Sequence, residues 1–283
     1  MQTSIRWRWP LMALLAAALF AGCEGLDTQQ RKWIFMARAV PASQEQQARD
    51  DGMTDVWIEH HSSASGSAVK LHALWMPNDN PRAPALLYLH GARRDIEASA
   101  FRIRQMHDLG FSVLAVDYRG FGRSTDELPS EPLVYEDARA AWGWLAKAHP
   151  DRPRYIFGHS LGGAIGVQLA SEVDDAQGLI VEGTFTSIPE VFQTMKWGWL
   201  PITALITQRF DSLSKIERVK APVLVVHGSR DGLIRPSLGR ALYERAKARK
   251  KFVLVEGGTH WSTNALGQVQ YREAMKELFG LAL

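Results

Sequence analysis

Residues Arg154 to Gln168 read RYIFGHSLGGAIGVQ. Tyr155-Ile156-Phe157 is a short β-branched and aromatic run, and Ala164 to Ser171 is competent to form a helix, so the order is strand, sharp turn, helix. The turn itself, Gly158-His159-Ser160-Leu161-Gly162, fits G-x-S-x-G. Its two glycines remove the Cβ atoms that would collide as the chain reverses, and one serine is left on a strained corner with its hydroxyl exposed. Ser160 is therefore the candidate nucleophile. A bare Gly-rich turn would give the same short pattern, so the reading depends on partners elsewhere in the chain.

Working outward, Ala85 to Leu89 is an unbroken apolar run ending in His90-Gly91-Ala92, and Phe111 to Val116 is another ending at Asp117. Gly178 to Val181, Pro222 to Val226 and Lys251 to Val255 repeat the pattern, each followed by a polar or glycine-containing turn. Runs of this kind are strands buried on both faces. Helical patterns fill the gaps: Ile96 to Leu109, Glu131 to Ala148, Arg235 to Arg249 and Asn264 to Phe279. The alternation predicts an α/β fold, a mostly parallel central sheet with helices on both faces, preceded by β-rich segments at Asp55 to His60 and Val69 to Met76. Ligands bind such sheets beyond the carboxyl ends of the strands.

Two further groups sit at those ends. Asp231 lies in His227-Gly228-Ser229-Arg230-Asp231-Gly232, and His260 lies in Gly257-Gly258-Thr259-His260-Trp261. A serine nucleophile needs a base to take its proton and a carboxylate to fix the tautomer of that base. The order Ser160, Asp231, His260 is the order of the α/β-hydrolase arrangement. From about Asp55 to Phe279 the chain resembles the α/β-hydrolase superfamily, and within it the small-cap esterases, thioesterases and serine-aminopeptidase-like hydrolases. Leu161, which follows the nucleophile and begins the helix, offers one oxyanion-hole N–H. The resemblance implies Ala92 as the other donor. It also keeps Glu182 open as a rival to Asp231, because some members take their acid from that strand end. Serine at the elbow sets aside the epoxide hydrolase and dehalogenase branches, which carry aspartate there. The chemistry calls for no cofactor and no metal.

Other residues have plainer expectations. His90, His159 and His227 flank motif glycines and should hydrogen-bond loop backbone, and Asp117 should organise its loop. His60 and His61 are adjacent on a strand, so they face opposite sides and cannot chelate one ion together. His72, His107 and His149 have no motif context. The loop Tyr118 to Ser124 is glycine-rich but lacks the spacings of a phosphate cradle. Arg93 and Arg94 follow the expected oxyanion loop, where a cation pair could draw an anionic group. The basic run from Arg245 to Lys251 reads as a helix C-terminus complementing the macrodipole.

The 283 residues, 46% of them apolar, can bury one sizeable core, and a net charge of +3 is no nucleic-acid signature. The N-terminus has the parts of an export signal: Arg6 and Arg8, the apolar run Leu11 to Phe20, and a small-residue exit at Ala21-Gly22. The single cysteine, Cys23, follows directly. Leu19 to Cys23 resembles a bacterial lipoprotein signal, with Phe20 where leucine is usual. That resemblance implies removal of residues 1–22, lipidation of Cys23 and attachment in the bacterial cell envelope, facing the periplasm or exterior. Glu24 in place of aspartate leans toward the outer membrane. Residues 23–53 then form an anchored segment and linker, with Trp33, Ile34 and Phe35 placed either to lie near a membrane surface or to pack on the domain. The hydrolase domain spans 54–283.

Between Gly183 and Lys220 the rhythm breaks, and Phe192, Met195, Trp197, Trp199, Leu200, Leu205, Ile206 and Phe210 crowd together. The resemblance places a two-helix cap here, about residues 184–215. The expected activity is hydrolysis of carboxylic esters or thioesters through an acyl-enzyme on Ser160, by a membrane-tethered enzyme whose cap favours small or extended acyl groups over bulky ones. A serine peptidase of the same fold, or a binding module on a hydrolase scaffold, remains the alternative.

Overall fold

A computed structural model describes residues 24–36, 52–195, 198–200 and 202–281. Its centre is an eight-stranded sheet: β1 (Thr54–His61), β2 (Ala68–Met76), β3 (Ala85–Leu89), β4 (Ser112–Val116), β5 (Arg154–His159), β6 (Ala176–Glu182), β7 (Val223–Gly228) and β8 (Lys250–Val255). The spatial order is β1-β2-β4-β3-β5-β6-β7-β8. β2 runs antiparallel to both β1 and β4, and every other pairing is parallel. The chain belongs to the fold class that its alternating apolar runs predict.

Side-chain alternation along the strands divides the core into two layers. Leu87 and Leu89 face the helices Glu131–Ala148 and Leu161–Ala170, in one cluster with Val116, Ile156 and Val181. Leu86 and Tyr88 face the helices Ala100–Asp108 and Gln268–Phe279, with Phe111, Phe157 and Met275. All five residues of β3 and of β4 are buried, as strands covered on both faces must be.

Some element boundaries differ from the sequence expectation. The segment expected as a helix from Ile96 opens with a 3-10 turn, Glu97–Ser99, before Ala100–Asp108. The Asn264-to-Phe279 pattern is two helices, Thr263–Leu266 and Gln268–Phe279, hinged at Gly267. Close packing enforces the hinge, because a Cβ on Gly267 would lie 2.8 Å from the Val255 side chain. The helix expected to reach Arg249 ends at Arg245, and Lys250 and Lys251 open β8. Lys250 still serves that helix end from the strand, since its Nζ donates to the carbonyls of Glu244 (2.9 Å) and Ala246 (2.6 Å).

Residues 24–35 form a helix that packs on the body. Its anchor is Phe35, 1% exposed and edge-on to Phe121 and Phe210. The segment after β6 carries a short helix Ile188–Gln193, a 3-10 turn Thr203–Leu205 and a short helix Ser212–Lys215. Ser187 and Asp211 cap the two helices by accepting from Glu190 N–H and Ser214 N–H. Trp197, like Cys23 and the expected export signal, lies outside the described residues. Among the described residues no helix is long and apolar enough to cross a membrane.

Candidate active site

Ser160 stands between the end of β5 and the helix Leu161–Ala170 with φ 55° and ψ −120°, a backbone conformation that L-residues other than glycine adopt only under constraint. The constraint is visible on both sides. Ser160 N–H donates to Glu182 O (2.9 Å), and Ser160 O accepts from Gly163 N–H (2.9 Å) and the Thr184 hydroxyl (2.8 Å). A Cβ on Gly158 would overlap the carbonyl of Gly162, and one on Gly162 would overlap that of Leu89. Both glycines of the motif are thus required by close backbone approach.

His260 and Asp231 arrive on the loops after β8 and β7. His260 Nδ1–H donates to Asp231 Oδ2 at 2.8 Å, and both side chains are buried. Asp231 Oδ1 accepts from the N–H groups of Leu233 and Ile234, each at 2.9 Å. Burial works against its charge, yet hydrogen bonds from His227 and His260 and the backbone of Ile234 hold its carboxyl well below the usual carboxylate range. Gly183, at φ 56°, backs the pair, because a Cβ there would lie 3.3 Å from His260 Nδ1 and 3.4 Å from Asp231 Oδ2. The opposite ring nitrogen, His260 Nε2, is buried without a hydrogen-bond partner and makes no hydrogen bond to Ser160 in this arrangement. Such bonds commonly close only when substrate arrives.

Glu182 does not pair with His260. Its carboxylate accepts from Arg102 Nε (3.1 Å) and from the Tyr271 hydroxyl. Arg102 in turn donates to the carbonyls of His260 (3.3 Å) and Trp261 (3.1 Å). The rival acid therefore acts one step back, gripping the arginine that holds the histidine loop. This network joins residues far apart in sequence, and nothing in the motifs announces it. His159 lies in the same network with Nε2 3.0 Å from the carbonyl of His260; burial, with Arg102 and His260 beside it, pushes its imidazole well below its ordinary range. His90 Nδ1 lies 2.8 Å from Gly91 O and His227 Nε2 2.9 Å from Ile234 O, so these three histidines contact loop backbone.

Asp117 Oδ1 accepts from Ile96 N–H (2.9 Å), tying the loop after β4 to the loop after β3. Beside it, one ligand atom each from His72, Glu97 and Asp117 lie within 4.8 Å of one another, the single group among the described residues with the makings of a metal site. The guanidinium of Arg123 already sits against this cluster, contacting His72 and lying 3.8 Å from Glu97. Burial and the neighbouring Asp117 charge raise the Glu97 carboxyl to about 7. His72, which the sequence leaves without context, is fully buried and bonded to Asp55 (2.8 Å).

Ser160 and His260 open on one cavity of about 480 Å³. Ala92 and Leu161 line it too, and among the described residues neither N–H is spent on a backbone carbonyl. Its walls are apolar: Phe185, Ile188, Val191, Phe192 and Met195 from the segment after β6, with Leu205 and Ile206 beyond. Phe210, expected in the same cap, is instead buried against Phe35 and Tyr135. Leu233, Ile234 and Trp261 line the cavity from the loops after β7 and β8, and another wall comes from helix 24–35, through Leu26, Gln30, Trp33 and Ile34. Their spacing puts all four on one helical face, which was the available sequence signal for a wall. Arg93 and Arg94 sit exposed at the rim, and Arg94 stacks over Trp261 at 4.6 Å.

Residues 80–214 match the model of the family described as "Serine aminopeptidase, S33". An uncharacterized protein of Mycobacterium tuberculosis is 32% identical over 254 residues, covering 89% of this chain and 87% of that protein. The human alpha/beta hydrolase domain-containing protein 17B is 30% identical over 199 residues, 68% of this chain and 65% of that one. Among solved structures, an esterase of Pyrococcus furiosus superposes with a TM-score of 0.66 at 21% identity, over 82% of this chain and 95% of that chain.

Proposed function

The chain belongs to the α/β-hydrolase superfamily, and on that premise we propose that it is a serine hydrolase of carboxylic esters or thioesters, working through an acyl-enzyme on Ser160. The observation that carries the reading is a serine on a strained elbow and a histidine, backed by the buried Asp231, opening together on one apolar cavity. In the proposed cycle Ser160 Oγ attacks the acyl carbon and His260 Nε2 takes its proton. Asp231 holds Nδ1–H and stabilises the imidazolium. The N–H groups of Leu161 and Ala92 receive the negative oxygen, and collapse expels the alcohol or thiol with the proton from His260. Water, deprotonated by the same nitrogen, then releases the acid.

The apolar walls support an acyl chain over a peptide, whose amide groups would lose hydrogen bonds on entering such a cavity. The peptidase alternative draws on the description of the matching family. We place the protein at the bacterial cell envelope, tethered through lipidated Cys23, on the strength of the leader sequence. A fluorophosphonate probe tests the reaction class: the folded protein should label, and Ser160→Ala should not. No labelling, or equal labelling of both, overturns the proposal. A panel of p-nitrophenyl esters, thioesters and aminoacyl amides then separates ester from amide cleavage.

A further inference from the structure

Large apolar side chains scattered singly over a surface are ordinary, but a contiguous group needs a partner. Among the described residues thirteen large hydrophobics are exposed, and seven of them line the active-site cavity. Leu26 and Trp33 belong to helix 24–35, and Met195, Ile202 and Leu205 to the segment after β6. Trp199 belongs to the same segment, between Met195 and Ile202 in sequence, and it and Trp33 are each 73% exposed.

The two segments are fixed to one another. Gln30 Nε2 donates to Leu205 O (2.8 Å), and Gln30 Oε1 accepts from Thr207 N–H (2.9 Å). Asp27 accepts from the Thr207 hydroxyl (2.6 Å) and from Gln208 Nε2 (2.8 Å). They form a preorganised apolar collar on the cavity, with the exposed cations Arg93 and Arg94 lining it and exposed Lys32 next to Trp33 in the helix. The chain reaches this collar from the preceding 23 residues, which hold the apolar run Leu11 to Phe20 and end at Cys23, three positions before Leu26.

We infer that the collar docks on a lipid bilayer containing anionic phospholipid, so that the cavity mouth opens on the acyl region and the substrate is a membrane-resident acyl ester or thioester. Exposed tryptophan and leucine with cations beside them match the two layers of a membrane interface, acyl boundary and headgroup. Helix 24–35 would then hold three roles at once: continuation of the anchor, cavity wall and interfacial contact. The inference rests on the reading of an anchored hydrolase.

The test uses the full chain carrying Ser160→Ala, which removes turnover, reconstituted in phosphatidylcholine–phosphatidylglycerol vesicles with brominated acyl chains. Bromine quenches only tryptophan that reaches the chains. The expected result is quenching that falls by at least half in the Trp33→Phe, Trp199→Phe double variant and is unchanged in Trp57→Phe, which alters an exposed tryptophan on β1. Equal quenching in the parent and the double variant overturns the docking face. So does cross-linking into dimers through this face without bromine quenching, which would make a second copy the occupant. Fluorophosphonate labelling of the Ser160 form in the same vesicles reads the chemistry separately. Quenching without labelling removes the hydrolase and keeps the docking face, whereas labelling without quenching removes the docking face alone.

Discussion

The N–H of Arg93 donates to the carbonyl of Phe35 at 2.9 Å. Arg93 has φ 71° and directly follows Ala92, the proposed oxyanion donor, so the end of the N-terminal helix fixes a loop at the reaction centre. Phe35 is held by Phe121 and Phe210 rather than by its own neighbours in sequence. Phe35→Ala is expected to cost about 3 kcal/mol or more of stability, by urea denaturation. It should also lower kcat on a short ester more than it raises KM, because the disturbed group acts in the transition state.

Asp231 and Glu182 have different expected signatures. Asp231→Asn leaves His260 without the carboxylate that fixes its tautomer and should lower kcat by about 10⁴-fold. Glu182→Gln weakens the grip on Arg102 and should lower the melting temperature, with a much smaller loss of kcat. Stopped-flow acylation with a p-nitrophenyl ester and a thermal melt on each variant decide the matter. The reverse ranking of the two kcat losses would return Glu182 to the position of the acid.

The elbow tolerates no added carbon. Gly162→Ala places a Cβ on the carbonyl of Leu89, where only backbone is available to move. The expected loss is about 3 kcal/mol or more, at the upper end for overpacking, together with loss of fluorophosphonate labelling. A folded, fully labelling Gly162→Ala protein would refute the account of this turn.

Glu97 provides a pH test. Its carboxyl is raised from 4.5 to about 7 by burial and by Asp117, so the folded state binds its proton more tightly than the unfolded state does. The contribution to stability is therefore complete below pH 4.5 and is lost as pH rises through about 7. Glu97→Gln, which stays neutral, should flatten the fall in melting temperature across that window. An identical pH profile for the two proteins would show that the cluster does not hold this proton.

The buried strand runs, the Gly158-x-Ser160-x-Gly162 turn and the order of Ser160, Asp231 and His260 were legible in the sequence because each is a local pattern tied to a strand end. The partnership of Arg102 with Glu182 and Tyr271 was not, since Arg102 and Tyr271 carry no motif, and the strand-end Glu182, a rival for the triad acid in sequence, meets them only when the sheet folds. The break at Gly267 was hidden for a related reason: apolar periodicity continues across it, and the close approach of the Val255 side chain and the Thr263 carbonyl, which demands the glycine, exists only in the folded chain. Helix 24–35 stood between two readings because Trp33 and Phe35 look alike in a basic, apolar stretch. Trp33 is exposed and Phe35 lies in the core, and the aromatics that receive Phe35, Phe121 and Phe210, lie too far along the chain for a local pattern to show which is which.

The wall formed by Leu26, Gln30, Trp33 and Ile34 comes from a different part of the chain than the loops bearing Ser160, Asp231 and His260. Substitutions along that face of the helix can reshape the cavity without passing through the chemistry, so selectivity and turnover are open to separate evolutionary drift.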